Sequence, residues 1–214
     1  MRKLFYLAII CVATLFLAPY VFTNAQIKKH IKHQNYQDGD IIFQSSNSRQ
    51  CEAVKLATHS NISHCGILFQ EEGNWFVIEA VEPVQIVSLS SFIARGEEKH
   101  YTIKRLKSTY NQLDDAKIAS MNQLGKRWIG KHYDIYFSWN NDEIYCSELV
   151  WKLYHDAAQI DLCTLKKLRD YDLSSPLVKT MMNERYGKNV PLNEEMVAPS
   201  DIYNSDKLEL VDQQ

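Results

Sequence analysis

A mixed domain of helices and antiparallel strands is what this sequence predicts, and three observations carry the prediction. Two apolar runs, His64 to Phe69 and Asn74 to Val81, flank the polar link Gln70-Glu71-Glu72-Gly73, which is a hairpin signal. Other short strand-like segments lie on either side of that hairpin. Downstream, the stretches 114–128 and 146–158 repeat apolar residues at helical spacing.

Composition bounds the rest. With 214 residues, 45% hydrophobic and 23% charged, the chain is long enough to bury one sizeable core. The formal net charge of -2 gives no basic excess for a phosphate backbone, which argues against a nucleic-acid partner. At the N-terminus, Arg2 and Lys3 precede the apolar run Leu4 to Ala18, and small residues end at Ala25. That is the layout of a secretory signal peptide, so residues 1–25 are expected to be a leader, with residues 26–214 a single domain outside the cytoplasm. An uncleaved leader would be the chain's one membrane attachment.

The elements follow in order. Gly39 to Gln44 reads as a strand after a turn, and Arg49 to Thr58 as a short helix. The hairpin comes next and ends at Pro83. Val84 to Leu89 and Tyr101 to Leu106 look like two more strands, with a polar helical turn near Ser90 to Arg95. Asp114 and Asp115 suit the first turn of a helix that reaches Trp128 and stops at Gly130. Tyr133 to Asn141 is aromatic and irregular. A helix beginning at Cys146 carries Leu149, Val150, Leu153 and Ala157 on one face, and the tail holds one more helix around Leu177 to Tyr186.

The chemistry-bearing residues stand out against this frame. A thiol at a helix start meets the positive end of the macrodipole, which favours the thiolate, so Cys146 is a candidate nucleophile. With a four-residue hairpin loop, Phe69 pairs with Asn74 and His64 falls directly across from Glu79, roughly 4.5–5.5 Å away between Cβ atoms. Both sit on otherwise largely apolar faces, where an unpaired carboxylate is costly. The bland alternatives are a buried small hydrophobe for Cys146 and a surface contact for the His–Glu pair. His59 is a rival base in a polar loop, and Tyr145 and Asn140 are candidate oxyanion or substrate-binding donors. Glu148 reads as an exposed or capping helix residue, Cys65 as core and Cys163 as structural. Cysteine spacing supplies no zinc pattern and no CxxC pair, so no metal and no cofactor are expected. Any disulfide that spares the site would join Cys51 to Cys163.

At these residues the chain resembles the YiiX-like group of circularly permuted papain-like cysteine hydrolases. The likeness rests on Gly39-Asp40-Ile41-Ile42-Phe43, Ser63-His64-Cys65-Gly66-Ile67, Val77-Ile78-Glu79-Ala80, Tyr145-Cys146-Ser147-Glu148-Leu149-Val150 and Ala198-Pro199-Ser200-Asp201-Ile202-Tyr203. His64 and Glu79 precede Cys146, the order of the permuted branch. The resemblance implies an α+β fold, with an antiparallel, barrel-like sheet packed on the nucleophile helix. It also implies hydrolysis of amide bonds in peptides, cell-wall peptides among them, by Cys146 as nucleophile, His64 as base and Glu79 as third member. Two other functions compete: a lipid acyl hydrolase or transferase, and a module that binds a peptide or amino acid without cleaving it.

Overall fold

Alternation along the first strand sets the architecture. The computed structural model describes residues 35–110 and 112–214, so the expected leader lies outside the described residues. β1 (Ile41–Gln44) is buried throughout, with Ile41 and Phe43 in one core and Ile42 in a second. α1 (Arg49–Thr58) starts where the Ser48 hydroxyl accepts the Cys51 N–H at 3.1 Å, and ends at His59 in left-handed backbone.

β2 (His64–Glu71) and β3 (Asn74–Glu79) form the hairpin, but its turn is Glu72-Gly73 alone, with φ of 50° and 80°. Two consecutive positive φ values make a tight two-residue turn that matches the strand twist. The register is therefore Glu71 with Asn74 and Ile67 with Ile78, two residues away from the register expected for a four-residue loop. Continued one step, it sets Gly66, not His64, across from Glu79. Because side chains alternate with a period of two, this slip keeps His64 and Glu79 on one face and makes them diagonal neighbours.

β4 (Gln85–Ser88) pairs with β3, and α2 (Leu89–Ala94) is capped by the Ser88 hydroxyl. β5 (Thr102–Leu106) returns to pair with β1. α3 (Asp115–Trp128) is capped by the Asp114 carboxylate, which accepts the Lys117 N–H at 2.9 Å. α4 (Cys146–Lys152) runs on into a π-helical turn, Leu153–Ala157. β6 (Lys166–Lys167) and β7 (Glu195–Met196) make a small second sheet around α5 (Pro176–Tyr186). α6 (Pro199–Tyr203) and β8 (Leu208–Gln213) complete the chain, and β8 adds an edge strand to β5.

The main sheet has six strands in the order β4-β3-β2-β1-β5-β8, antiparallel throughout. It is open. β4 and β8 each pair on one side only, so the barrel-like closure implied by the resemblance is not present, while the α+β class and the antiparallel sheet are. One face shares a core with α4, combining Ile67, Phe69 and Ile78 with Leu149, Val150 and Leu153. The other face buries Leu68, Val77 and Ile103 with Leu89 and Phe92.

Three ties hold α4 in place. The Tyr154 hydroxyl donates to the Gly39 carbonyl at 2.6 Å, which anchors the π turn to the start of β1. Ser147 donates to the Val197 carbonyl at 2.7 Å. Lys152, in a buried ion pair with Glu148 one turn earlier at 2.7 Å, donates to the Asn140 carbonyl at 2.6 Å. Glu148 does cap the helix, taking the Tyr145 N–H, but it is fully buried rather than exposed. Burial, offset in part by Lys152, pushes its carboxyl up to about 7. Lys152→Met should cost about 3 kcal/mol in urea unfolding, because it strands a buried charge. The sign with pH follows from the raised folded-state value: the folded protein holds the Glu148 proton above the range where the unfolded chain has lost it, so stability must fall as pH rises from about 4.5. The deficit of the variant should accordingly be larger at alkaline than at acidic pH, and a pH-independent deficit would contradict this reading.

Candidate active site

His64 opens β2 and Glu79 closes β3, so the hairpin brings both to one end of the sheet. The imidazole Nε2 lies 2.7 Å from Glu79 Oε2. Gly66 makes room for this diagonal pair. A Cβ there would stand 2.5 Å from Val77 Cγ1 and 2.8 Å from the Ile78 carbonyl oxygen. The Glu79 carboxylate is fully buried, and its other oxygen accepts from Gln85 Nε2 at 3.0 Å and from the Arg95 guanidinium. Burial alone would raise its affinity for a proton, but His64, Arg95 and Gln85 outweigh that and hold it below the usual carboxylate range. The opposite side of the His64 ring is stacked on Phe92, with centroids 5.4 Å apart and planes 19° apart. The ring is thus fixed in both position and tilt, with Nδ1 left for the thiol.

That thiol belongs to Cys146, buried at the first position of α4, which packs along β2. Its sulfur and the His64 imidazole act on each other electrostatically, and the Cys65 thiol acts on that sulfur as well. The Cys65 thiol, with His64 and its charge, holds Cys146 well below the ordinary thiol range despite burial. The imidazole responds in the opposite sense. Burial opposes its charge, but Cys146 and Glu79 overcome that and push it up to about 10. Cys65 itself stays protonated, its thiol raised first by burial. Cys65 is core, as its place in the strand suggests, yet it also touches the reactive sulfur, which alternation alone does not reveal.

Beside Cys146 opens a narrow cavity of about 70 Å³ between α1, α5 and the segment before α6. Its walls are apolar, with Ala53, Val54, Phe137, Val178 and Met181 prominent among them. The polar part of its lining includes Gln50, Tyr133 and Arg185, none of which the sequence singles out. Arg185 donates to Gln50 Oε1 at 2.8 Å, Gln50 Nε2 donates to the Tyr133 oxygen at 2.8 Å, and Tyr133 lines the same cavity as Cys146. Tyr145 also borders the cavity, but its oxygen accepts the Val197 N–H at 3.2 Å. Asn140 does not line it: its carbonyl takes the Lys152 ammonium at 2.6 Å and its side chain caps a turn. His59 is exposed and pairs with Asp172 at 3.1 Å. Cys51, Cys65, Cys146 and Cys163 are all free thiols among the described residues, so no bridge joins Cys51 to Cys163.

A thiol at a helix start, an imidazole on an antiparallel strand and a carboxylate behind it, on an α+β frame, define a papain-like arrangement with the imidazole first in the chain. The chain belongs to the permuted papain-like amidase family, YaeF/YiiX, C92, which it matches over residues 35–212. It is 43% identical over 175 residues to the uncharacterized protein YiiX of Escherichia coli K12, covering 82% of this chain and 85% of that one. It also superposes on the crystal structure of YiiX from Escherichia coli O157:H7, with a TM-score of 0.79, 42% identity and coverage of 84% of this chain and 98% of that one. That structure is described as a metalloprotein. In the present chain, no group of three or more His, Cys, Asp or Glu side chains among the described residues is placed to hold a metal ion. Glu79 is already committed to His64, Gln85 and Arg95.

The thiolate character of Cys146 is directly measurable. Alkylation by iodoacetamide should proceed at Cys146 near pH 6, where Cys163, pushed up to about 12 by burial, stays inert. Glu79→Gln removes the charge that supports the imidazolium, so the pH midpoint of Cys146 alkylation should rise by about 1 unit or more. Equal labelling of the two cysteines, or an unmoved midpoint, would count against this site.

Proposed function

We propose that the chain is an exported thiol amidase in which Cys146 is the nucleophile, His64 the general acid and base, and Glu79 the group that orients the ring. The observation that carries this reading is a thiol depressed in part by the charge of His64, an imidazole whose Nε2 is 2.7 Å from a buried carboxylate. The export component rests on the leader-like N-terminus alone.

The steps follow from the groups present. The Cys146 thiolate attacks the amide carbon and a C–S bond forms. His64, as imidazolium, gives its proton to the amide nitrogen as the C–N bond breaks, and the amine leaves. His64, now neutral, takes a proton from water, whose oxygen attacks the thioester. The C–S bond breaks, the acid is released, and the proton returns the site to its starting state. Glu79 keeps the ring in the productive orientation through both steps.

The substrate is an amide between an acyl group and an amine, as in peptides, and cell-wall peptides are one source of that chemistry. The apolar cavity walls favour a second reading of the acyl side. Charged residues such as those of cell-wall peptides would lose their hydration against Val54, Val178 and Met181, where the charged side chain of the lining, Arg185, is already bonded to Gln50 and stacked over Phe137. An apolar acyl group, including a lipid acyl chain, would bury surface there at roughly 25 cal/mol per Å².

Two outcomes test the reading. Cys146→Ala and His64→Ala should each lower amide turnover by about 1,000-fold or more, with Glu79→Gln in between. In a substrate series with one leaving amine, kcat/KM should rise about tenfold for each one or two methylenes added to the acyl group and should fall for charged acyl groups. Full turnover by Cys146→Ala would overturn the mechanism. A preference for charged cell-wall fragments would overturn the apolar acyl assignment alone.

A further inference from the structure

Three polar side chains cross the otherwise apolar cavity wall in a fixed donor order. Arg185 comes from α5, Gln50 from α1, and Tyr133 from the irregular stretch before α4, where it bridges to Ile144, two residues ahead of Cys146. All three share the cavity with Cys146. The Arg185 guanidinium is also stacked over the Phe137 ring at 5.0 Å, which keeps it at this post.

The direction of the chain is forced by chemistry. A guanidinium has donors and no acceptor, so the group 2.8 Å from Arg185 Nη2 must be the carbonyl oxygen of Gln50. The Gln50 amide nitrogen is then the end that faces Tyr133, also at 2.8 Å, and it can only donate. The phenol oxygen is thereby an acceptor toward Gln50, so its single proton must be offered elsewhere. The Cys146 sulfur lines the same cavity as this phenol, and Tyr133 is bridged to Ile144, two residues before it. Hydrogen bonds in such a series polarise one another, so a positive charge at one end strengthens the donor at the other.

We propose that the Tyr133 O–H is the oxyanion donor of the reaction, and that Arg185 and Gln50 are positioning residues that aim it at the thiolate and at the acyl oxygen formed by attack. The proposal rests on the thiol-hydrolase reading above and assigns roles to residues that reading does not use. As the C–S bond forms, negative charge moves from sulfur to the former carbonyl oxygen, and Tyr133 can follow it without giving up its proton. Burial holds that proton on the phenol well above neutral pH, so the group remains a donor throughout the working range. Of the two donors the sequence suggests, Tyr145 is held at Val197 and Asn140 stands outside the cavity.

The test separates thiolate reactivity from oxyanion stabilisation by using two probes on the full chain. Iodoacetamide reports the thiolate and forms no oxyanion. p-Nitrophenyl butyrate acylates the thiol through one, with release of p-nitrophenolate as the readout. Tyr133→Phe should lower the acylation rate by about 100-fold while the plateau rate of alkylation stays within about threefold of the native protein. Its alkylation midpoint should rise in pH, which loss of mere packing would not produce.

Gln50→Glu keeps the size of the side chain but turns its end toward Tyr133 into an acceptor, drawing the phenol proton away from the sulfur. It should lower acylation about as much as Tyr133→Phe, and the double variant should be no slower than either single one. Gln50→Leu and Arg185→Met should act in the same direction and less strongly. Acylation at the native rate in Tyr133→Phe, or an unaffected Gln50→Glu, would overturn the proposal. If Cys146 of the native protein shows neither selective alkylation nor acylation, the nucleophile assignment itself fails, a result distinct from loss of the oxyanion donor.

Discussion

A carboxylate with no exposure to water must be satisfied where it lies, and in this fold that requirement organises the site. Glu79 is fully buried at the end of β3 and is neutralised from three sides, by His64, Gln85 and Arg95. Removing any one partner leaves a charge in a poorly solvated place, which is far more costly than the net gain of an ordinary hydrogen bond. The imidazole is therefore held where the carboxylate needs it. The same placement leaves its second nitrogen facing the start of α4, and the order β2, β3, β4 with α2 behind them supplies every partner from one contiguous stretch of chain.

The second constraint is the seat of the nucleophile helix. Cys146 can meet His64 only if α4 is fixed along its axis, and its ties run to different parts of the fold: Tyr154 to Gly39, Ser147 to Val197, and Lys152, paired with Glu148 inside the helix, to the loop before it. The ammonium of Lys152 is also held by the carbonyl of Asn140 and flanked by the rings of Trp128 and Trp139. Sheet, tail and loop thus each contribute to placing one sulfur atom. The apolar cavity beside that sulfur is built from helices outside the sheet, so the acyl-binding wall and the catalytic hairpin belong to separable parts of the structure.

Much of this was legible in the residues, for reasons that differ from element to element. The pairing of His64 with Glu79 survives a misread turn because a two-residue slip preserves the face, whereas a slip of one would have separated them. The α3 and α5 boundaries follow from Asp114, Ser175-Pro176 and Gly187, all local signals. Gln85 could have been found once β3 and β4 were paired, since it is the register partner of Glu79. Arg95, Phe92, Gln50 and Arg185 could not, because only tertiary packing of α1, α2 and α5 brings them to the site. β8 was hidden for a different reason: an edge strand with one paired side tolerates Glu209, Asp212 and Gln213, which blur the alternation. Glu148 looked like a surface cap because its i, i+4 relation to Lys152 does not reveal that both are buried. The open sheet corrects an expectation taken from resemblance, not from pattern.

The account as a whole stands on an ion pair between the Cys146 thiolate and the His64 imidazolium. Its most direct measurement is a pH titration of the His64 ring by NMR in the native protein and in Cys146→Ala. The account predicts that His64 stays protonated through neutral pH and loses its proton near the value of about 10 to which Cys146 and Glu79 raise it, and that the alanine variant titrates at distinctly lower pH. A native His64 that titrates in the ordinary range for histidine, unchanged when the thiol is removed, would contradict it.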